Sequence, residues 1–244
     1  SQPLAPLLVG RPGCGKGRLV IELARRMGLK LYVCQGYDNA DASELGCTLV
    51  PSDEGNGRID YVLSHLATSM LSGGVCFVDE IGKFPGRALS LLASVLDDRR
   101  YIDLDLIGER IEAHRDFRFI AATNGEDIDG LPDFLRSRLF PVIRVEAPER
   151  REIDDIVCNQ FPGEQRAMKD RLEWFWRLWE EEPGELDPPT PRDALQVFWL
   201  AAKLAALDGK PAGDEPFEDD LGAPEMRLDH LKRALRQFWE GRPC

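Results

Sequence analysis

No stretch of about eighteen consecutive apolar residues occurs in the 244-residue chain, so the sequence offers no candidate for a membrane-spanning helix. A cationic start followed by an apolar run is also lacking, and nothing reads as a secretory signal. The chain opens on Ser1 rather than Met, which suggests processing, a tag remnant or trimming. Histidine is scarce: His65, His114 and His230 are the only three, and none stands in a nucleophile or ligand constellation. The six cysteines (Cys14, Cys34, Cys47, Cys76, Cys158 and Cys244) form no C-x-x-C pair and no zinc spacing with histidine. That pattern excludes a thiolate metal cluster and points to reduced thiols in a cytoplasmic protein. Positive charge is in deficit, with 31 Lys and Arg against 43 Asp and Glu and a net charge of -12. Proteins that grip nucleic acid present basic surfaces that release counterions from the phosphates, so nucleic-acid binding is disfavoured as the main role.

What is present is ordinary globular material, 43% hydrophobic and 30% charged. Strand-like and helix-like segments alternate over the first part. Leu7, Leu8 and Val9 form an apolar run ending at a glycine-rich loop, and residues 18–27 then read as a helix that stops at Gly28. Leu31-Tyr32-Val33-Cys34 predicts the next strand. Ile59, Val62, Leu63, Leu66 and Met70 recur at helical spacing, which predicts one helix over residues 59–71. Val75-Cys76-Phe77-Val78 and residues 117–122 are continuous apolar runs, as expected of strands buried on both faces of a parallel sheet. A helix is expected over residues 86–96, and a β-hairpin around Gly108. After about Pro148 the pattern turns all-helical, with expected helices at residues 149–157, 165–181, 191–207 and 226–240. Pro183-Gly184, Pro188-Pro189 and an acidic, Gly/Pro-containing stretch at 208–224, expected as a surface loop, separate them. The predicted architecture is a doubly wound α/β domain at residues 1–147 followed by a smaller all-helical domain at 148–244.

Three constellations carry chemistry. Gly10-Arg11-Pro12-Gly13-Cys14-Gly15-Lys16-Gly17, followed by Arg18, matches G-x-x-x-x-G-K-[ST] at every fixed position but the last. Such glycines let backbone N–H groups turn inward around phosphate oxygens at a helix N-terminus, and the lysine reaches the β- and γ-phosphates. At Gly17 the usual hydroxyl for magnesium is missing; either a water replaces it or metal affinity and turnover fall. Second, the Val75-to-Val78 run ends in Asp79-Glu80. A buried strand that ends in two carboxylates delivers them to the sheet edge where open α/β folds bind ligands. Asp79 is expected to hold Mg2+, and Glu80 to polarise the attacking water. Third, residues 117–122 lead into Thr123-Asn124, which would place Asn124 beside the carboxylates if the two strands are neighbours. Leu172, Trp176 and Trp179 fall on one helical face with Phe175 close to it, and are expected in the helical core, with an exposed partner-binding patch as the other reading.

The order of these motifs, with Leu135-Arg136-Ser137-Arg138-Leu139 and Thr190-Pro191-Arg192 further on, resembles the MoxR-type branch of the AAA+ ATPases, related to dynein-like ATPase modules. Glu44-Leu45-Gly46, residues 92–100 and Glu112-Ala113-His114-Arg115-Asp116-Phe117 add to a likeness that spans nearly the whole chain and loosens beyond Arg192. The resemblance implies a P-loop NTPase fold with a helical lid and a pre-sensor hairpin near residues 100–114. It implies ATP and Mg2+ as cofactors, Asn124 as first sensor, Arg138 as a trans-acting arginine finger with Arg136 as the competing candidate, and Arg192 as second sensor in the lid. It also implies a homo-oligomeric, hexameric ring that remodels or matures a partner protein, one class of which carries a von Willebrand A-type domain. Such family members have a longer segment ahead of the glycine loop that helps to enclose the adenine, whereas nine residues precede Gly10 here. A fragment, or adenine held differently, is therefore expected. A nucleotide-responsive binding module that no longer hydrolyses, because of Gly17, is the alternative; a nucleic-acid motor is the third reading. Nothing in the sequence separates ATP from GTP.

Overall fold

The computed structural model describes residues 4–52, 59–162, 165–181, 187–208 and 226–241, and divides into two units, Ser1–Glu146 and Ala147–Cys244. The first unit begins β1 (Leu7–Val9), α1 (Lys16–Met27), β2 (Leu31–Gln35), a 3-10 turn (Ala42–Leu45), β3 (Cys47–Pro51), β4 (Ile59–Leu63) and α2 (His65–Ser72). It continues with β5 (Gly74–Asp79), a 3-10 turn (Ile81–Lys83), α3 (Gly86–Leu89), α4 (Leu92–Val95), β6 (Tyr101–Leu104) and β7 (Glu109–Glu112). It closes with β8 (Phe117–Thr123), a 3-10 turn (Glu126–Gly130), α5 (Asp133–Arg136) and β9 (Val142–Arg144).

Five of these strands form one sheet in the order β2-β5-β8-β1-β9, and every neighbouring pair is parallel. The apolar runs are continuous because both faces are covered. Leu7, Cys76, Val78, Phe119 and Ala121 pack into the larger cluster with α2, α3 and α4, while Leu8, Val75, Phe77, Ile120 and Ala122 pack against Val20 and Ala24 of α1. Alternate residues of each strand thus serve opposite cores. α1 ends on Gly28, whose left-handed φ of 65° lets its N–H bond back to the carbonyls of Ala24 and Arg25.

Several expectations are corrected. Residues 59–71 are not one helix: Ile59–Leu63 is β4, paired antiparallel with β3, and the helix starts only after Ser64, whose hydroxyl accepts the Ala67 N–H at 3.0 Å. The helical spacing was coincidental, since Ile59 and Val62 are 69% and 57% exposed. Residues 86–96 form two one-turn helices, because the Leu91 and Ala93 amides make tight i to i−3 bonds to Ala88 and Ser90. α1 begins at Lys16 rather than residue 18. Strands β3 and β9 add to the strands that the sequence pattern predicts. A hairpin, β6–β7, stands at Tyr101–Leu104 and Glu109–Glu112, and Gly108 in its turn has a φ of 66°.

The second unit contains α6 (Arg150–Gln160), α7 (Gln165–Glu181), α8 (Pro191–Asp208) and α9 (Leu228–Glu240). Its core centres on Phe175 and Phe198, both 0% exposed, with ring centroids 5.6 Å apart. Leu172, Trp176 and Trp179 are buried beside them, so the aromatic face of α7 is core. Trp176 Nε1 donates to Asp154 Oδ1 at 2.7 Å, which satisfies the one polar atom of a buried indole. The acidic stretch expected as a surface loop and the Pro183-Gly184 breaker lie, apart from Asp208, outside the described residues. Among the described residues no helix is long and apolar enough to cross a membrane.

Candidate functional site

Strands β1, β5 and β8 run in parallel, so Val9, Asp79 and Thr123 end at one edge of the sheet. Their following loops, which hold the glycine motif, Glu80 and Asn124, share that edge. In an open α/β sheet this is where ligands bind. In the loop after β1, Gly13 and Gly15 have φ values of 81° and 98°, a conformation that side chains resist and that turns successive N–H groups inward. Gly15 is also the N-cap of α1, and the first turn holds no acidic residue and no side-chain cap. The start of the helix thus presents its partial positive charge to an incoming anion. Arg11, Pro12 and Arg18 are exposed around the loop, and Cys14 is buried beneath it.

Lys16 is 8% exposed, and its ammonium is held by three oxygens: Gly10 O at 2.6 Å, Arg11 O at 3.0 Å and Asn124 Oδ1 at 3.3 Å. The lysine and the asparagine, 108 positions apart, therefore meet. Asn124 is also 3.4 Å from Asp127 through its amide nitrogen. Gly17 sits in the first turn of α1 over the β5 strand; a Cβ there would stand 3.7 Å from Phe77 Cε1, an ordinary contact.

Asp79 ends β5 with its Oδ1 accepting the Glu80 N–H at 3.0 Å. Glu80 follows in the left-handed region, φ 53° and ψ 42°, a conformation of cost for a non-glycine residue and common at functional sites. Its Oε2 accepts from Gln35 Nε2 and Lys83 Nζ, both at 2.8 Å. The nearby carboxylate raises the Lys83 ammonium above its ordinary value. Gly36 abuts the same backbone: its N–H donates to Asp79 O at 2.8 Å, and a Cβ there would lie 2.1 Å from Glu80 O. Gln35, Gly36 and Lys83 were not singled out from sequence. Only a polar residue and a glycine closing an apolar run hinted at the first two.

The arginines fall apart in environment. Arg136 is 44% exposed and pairs with Asp133 and Asp129. Arg138 is 27% exposed; its NH1 donates to Phe134 O at 2.6 Å and its NH2 lies 3.8 Å from Asp97 Oδ2. Arg192 belongs to the second unit, exposed in the first turn of α8 after Pro191. Thr190 and Asp193 bracket it: Thr190 N and Oγ1 donate to Asp193 Oδ2 at 2.9 and 2.8 Å.

A triphosphate with Mg2+ fits these residues. The left-handed glycines and the helix N-terminus suit phosphate, and Asp79 is a hard oxygen donor. Among the described residues no group of three or more His, Cys, Asp or Glu gathers, so a divalent cation at Asp79 would draw its other ligands from phosphate oxygens and water.

Residues 6–139 match the family described as AAA domain, dynein-related subfamily. Protein NorQ of Paracoccus denitrificans is 33% identical over 125 residues, covering 51% of this chain and 45% of NorQ. The denitrification regulatory protein NirQ of Stutzerimonas stutzeri is 28% identical over 157 residues, covering 63% of this chain and 56% of NirQ. The chain thus spans about half the length of these relatives. Among solved structures, the FIGL-1 AAA domain in complex with ADP aligns with a TM-score of 0.59 at 19% identity, covering 99% of this chain and 73% of that one, a likeness of fold.

Proposed function

The chain belongs to the dynein-related subfamily of AAA domains and is of MoxR type, and from that premise we propose that it binds ATP with Mg2+ and hydrolyses it to remodel a partner protein. The observation that carries this reading is the meeting of Lys16 and Asn124, Nζ to Oδ1 3.3 Å, at the edge where β5 presents Asp79. In this reading the N–H groups of residues 10–17 cradle the phosphates and Lys16 exchanges its loop carbonyls for β- and γ-phosphate oxygens. Mg2+, held by Asp79, would neutralise phosphate charge. Glu80, released from Gln35 and Lys83, accepts a proton from the attacking water, and Asn124 orients that water or the γ-phosphate. Arg138 acts on the site of a neighbouring copy in a ring, proposed as hexameric, and Arg192 serves as second sensor from the helical unit. A partner with a von Willebrand A-type domain, and a cytoplasmic location, complete the proposal.

Glu80→Gln tests it. The variant should still take up ATP by calorimetry, while steady-state turnover drops about 10²–10⁴-fold, the range for a lost general base. Turnover that survives would remove Glu80 from the mechanism. A second reading, ATP as a conformational ligand without hydrolysis, is favoured by one observation, the hydrogen that Gly17 carries in place of a hydroxyl side chain. Brisk turnover by the native chain would dispose of it.

A further inference from the structure

Asp97 lies in the turn between α4 and β6 with its side chain 13% exposed. Arg99 folds back onto it: Nε and NH2 stand 3.0 and 2.8 Å from Oδ2, and the Arg99 backbone N–H donates to Oδ1 at 3.0 Å. Arg99 is itself fixed by the base of the β6–β7 hairpin. Its guanidinium stands 5.5 Å from the centre of the Tyr101 ring, which Arg110 also covers at 3.8 Å while pairing with Asp103 across the hairpin. The Asp97 carboxylate is therefore oriented by neighbours that are themselves held. These hydrogen bonds, those of Arg99 first, keep the Asp97 carboxyl below its usual range, and Arg138 adds a smaller pull.

Arg138 is the second cation at that carboxylate, with NH2 3.8 Å from Oδ2. On its other side NH1 is bonded to Phe134 O at 2.6 Å, and its Nε is buried with no hydrogen-bond partner. Two features follow. The guanidinium is aimed by a carbonyl on one side and a carboxylate on the other. It is also incompletely satisfied, because Arg99 takes the close contacts of Asp97. A cation that must stabilise charge growing on a phosphate needs that combination: fixed direction without full neutralisation.

We propose that Asp97 is a positioning residue that orients Arg138 for the phosphates of a neighbouring site. It touches no nucleotide and acts only through Arg138. The inference rests on the reading of Arg138 as the arginine supplied in trans.

The test uses the full chain in three variants, Asp97→Asn, Arg138→Ala and the double substitution. Two readouts are taken: kcat and KM for ATP, and the rate at which phenylglyoxal modifies Arg138, followed by peptide mass spectrometry. Asp97→Asn should lower kcat about tenfold with KM little changed, a part of the larger effect expected of the arginine itself. The double variant should be no slower than Arg138→Ala alone, since interacting groups give non-additive effects. Modification of Arg138 should quicken in Asp97→Asn while that of Arg136 stays as in the native chain. Unchanged labelling of Arg138, or an Asp97 effect that persists at full size when Arg138 is absent, overturns the proposal and reduces Asp97 to a structural residue. If Arg138→Ala leaves kcat untouched, the trans-arginine reading fails and the positioning role falls with it. The labelling readout stands even if native turnover is low.

Discussion

Replacing Gly17 separates two effects that one glycine combines. Helical glycine costs about 0.5–1 kcal/mol relative to alanine, because it loses more backbone freedom on folding. A new Cβ at this position would meet Phe77 Cε1 at 3.7 Å, so nothing must move to admit it. Gly17→Ala should therefore stabilise the α/β unit by about 0.5–1 kcal/mol, a rise of about 1–4 °C in its thermal transition for a chain of this size. Gly17→Thr should gain less, since a β-branched residue is the poorer helix former, but it restores a hydroxyl at the place where related loops meet magnesium. The assays are calorimetric melting without nucleotide and ATP turnover against Mg2+ concentration. Gly17→Thr should reach half-maximal turnover at about tenfold lower Mg2+ than Gly17→Ala, equivalent to about 1.4 kcal/mol. A lowered melting temperature for Gly17→Ala would refute the packing argument. Equal Mg2+ demand in the two variants would refute the hydroxyl argument.

Three further outcomes are expected. Lys16→Ala removes a cation held by three oxygens and should weaken ATP binding by about 1.5–3 kcal/mol, about ten- to a hundredfold by calorimetry. Gly36→Ala would drive a Cβ to 2.1 Å from Glu80 O and should cost about 1–3 kcal/mol in urea unfolding. It should also depress turnover through the displaced Glu80. Phe175→Ala, at the 0% exposed centre of the helical unit, should cost about 3–5 kcal/mol and flatten the near-ultraviolet circular dichroism of the surrounding tryptophans.

The parallel sheet was legible because its strands are buried on both sides. Val75-Cys76-Phe77-Val78 has no polar position to confuse with an amphipathic helix, and a glycine loop or carboxylate pair marks where such runs end. The places of Lys16, Asp79, Glu80 and Asn124 were legible for the same reason: each ends a strand, follows directly on one or opens a helix. β4 looks helical in the sequence because five apolar residues over 59–70 happen to fit a 3.6-residue period, and only pairing with β3 decides between the two structures. Ser64 was the available signal, a helix-starting residue in the middle of the supposed helix. The Lys83 pair with Glu80 is local, three residues apart, but the contacts of Gln35 and Asp97 could not be read from spacing. The first depends on β2 lying beside β5, and the second on how a turn between α4 and β6 meets Arg138, two residues past α5.

The alternation of β5 and β8 residues between two cores has an implication for errors in folding. Sliding β5 by a single position would turn Phe77 out of its place under α1, thrust Val78 into it, and carry Asp79 away from the edge it shares with Val9 and Thr123. A misaligned chain would thus be ill packed before it was inactive. Quality control that recognises exposed apolar surface would remove the defective copies without any means of sensing the nucleotide site.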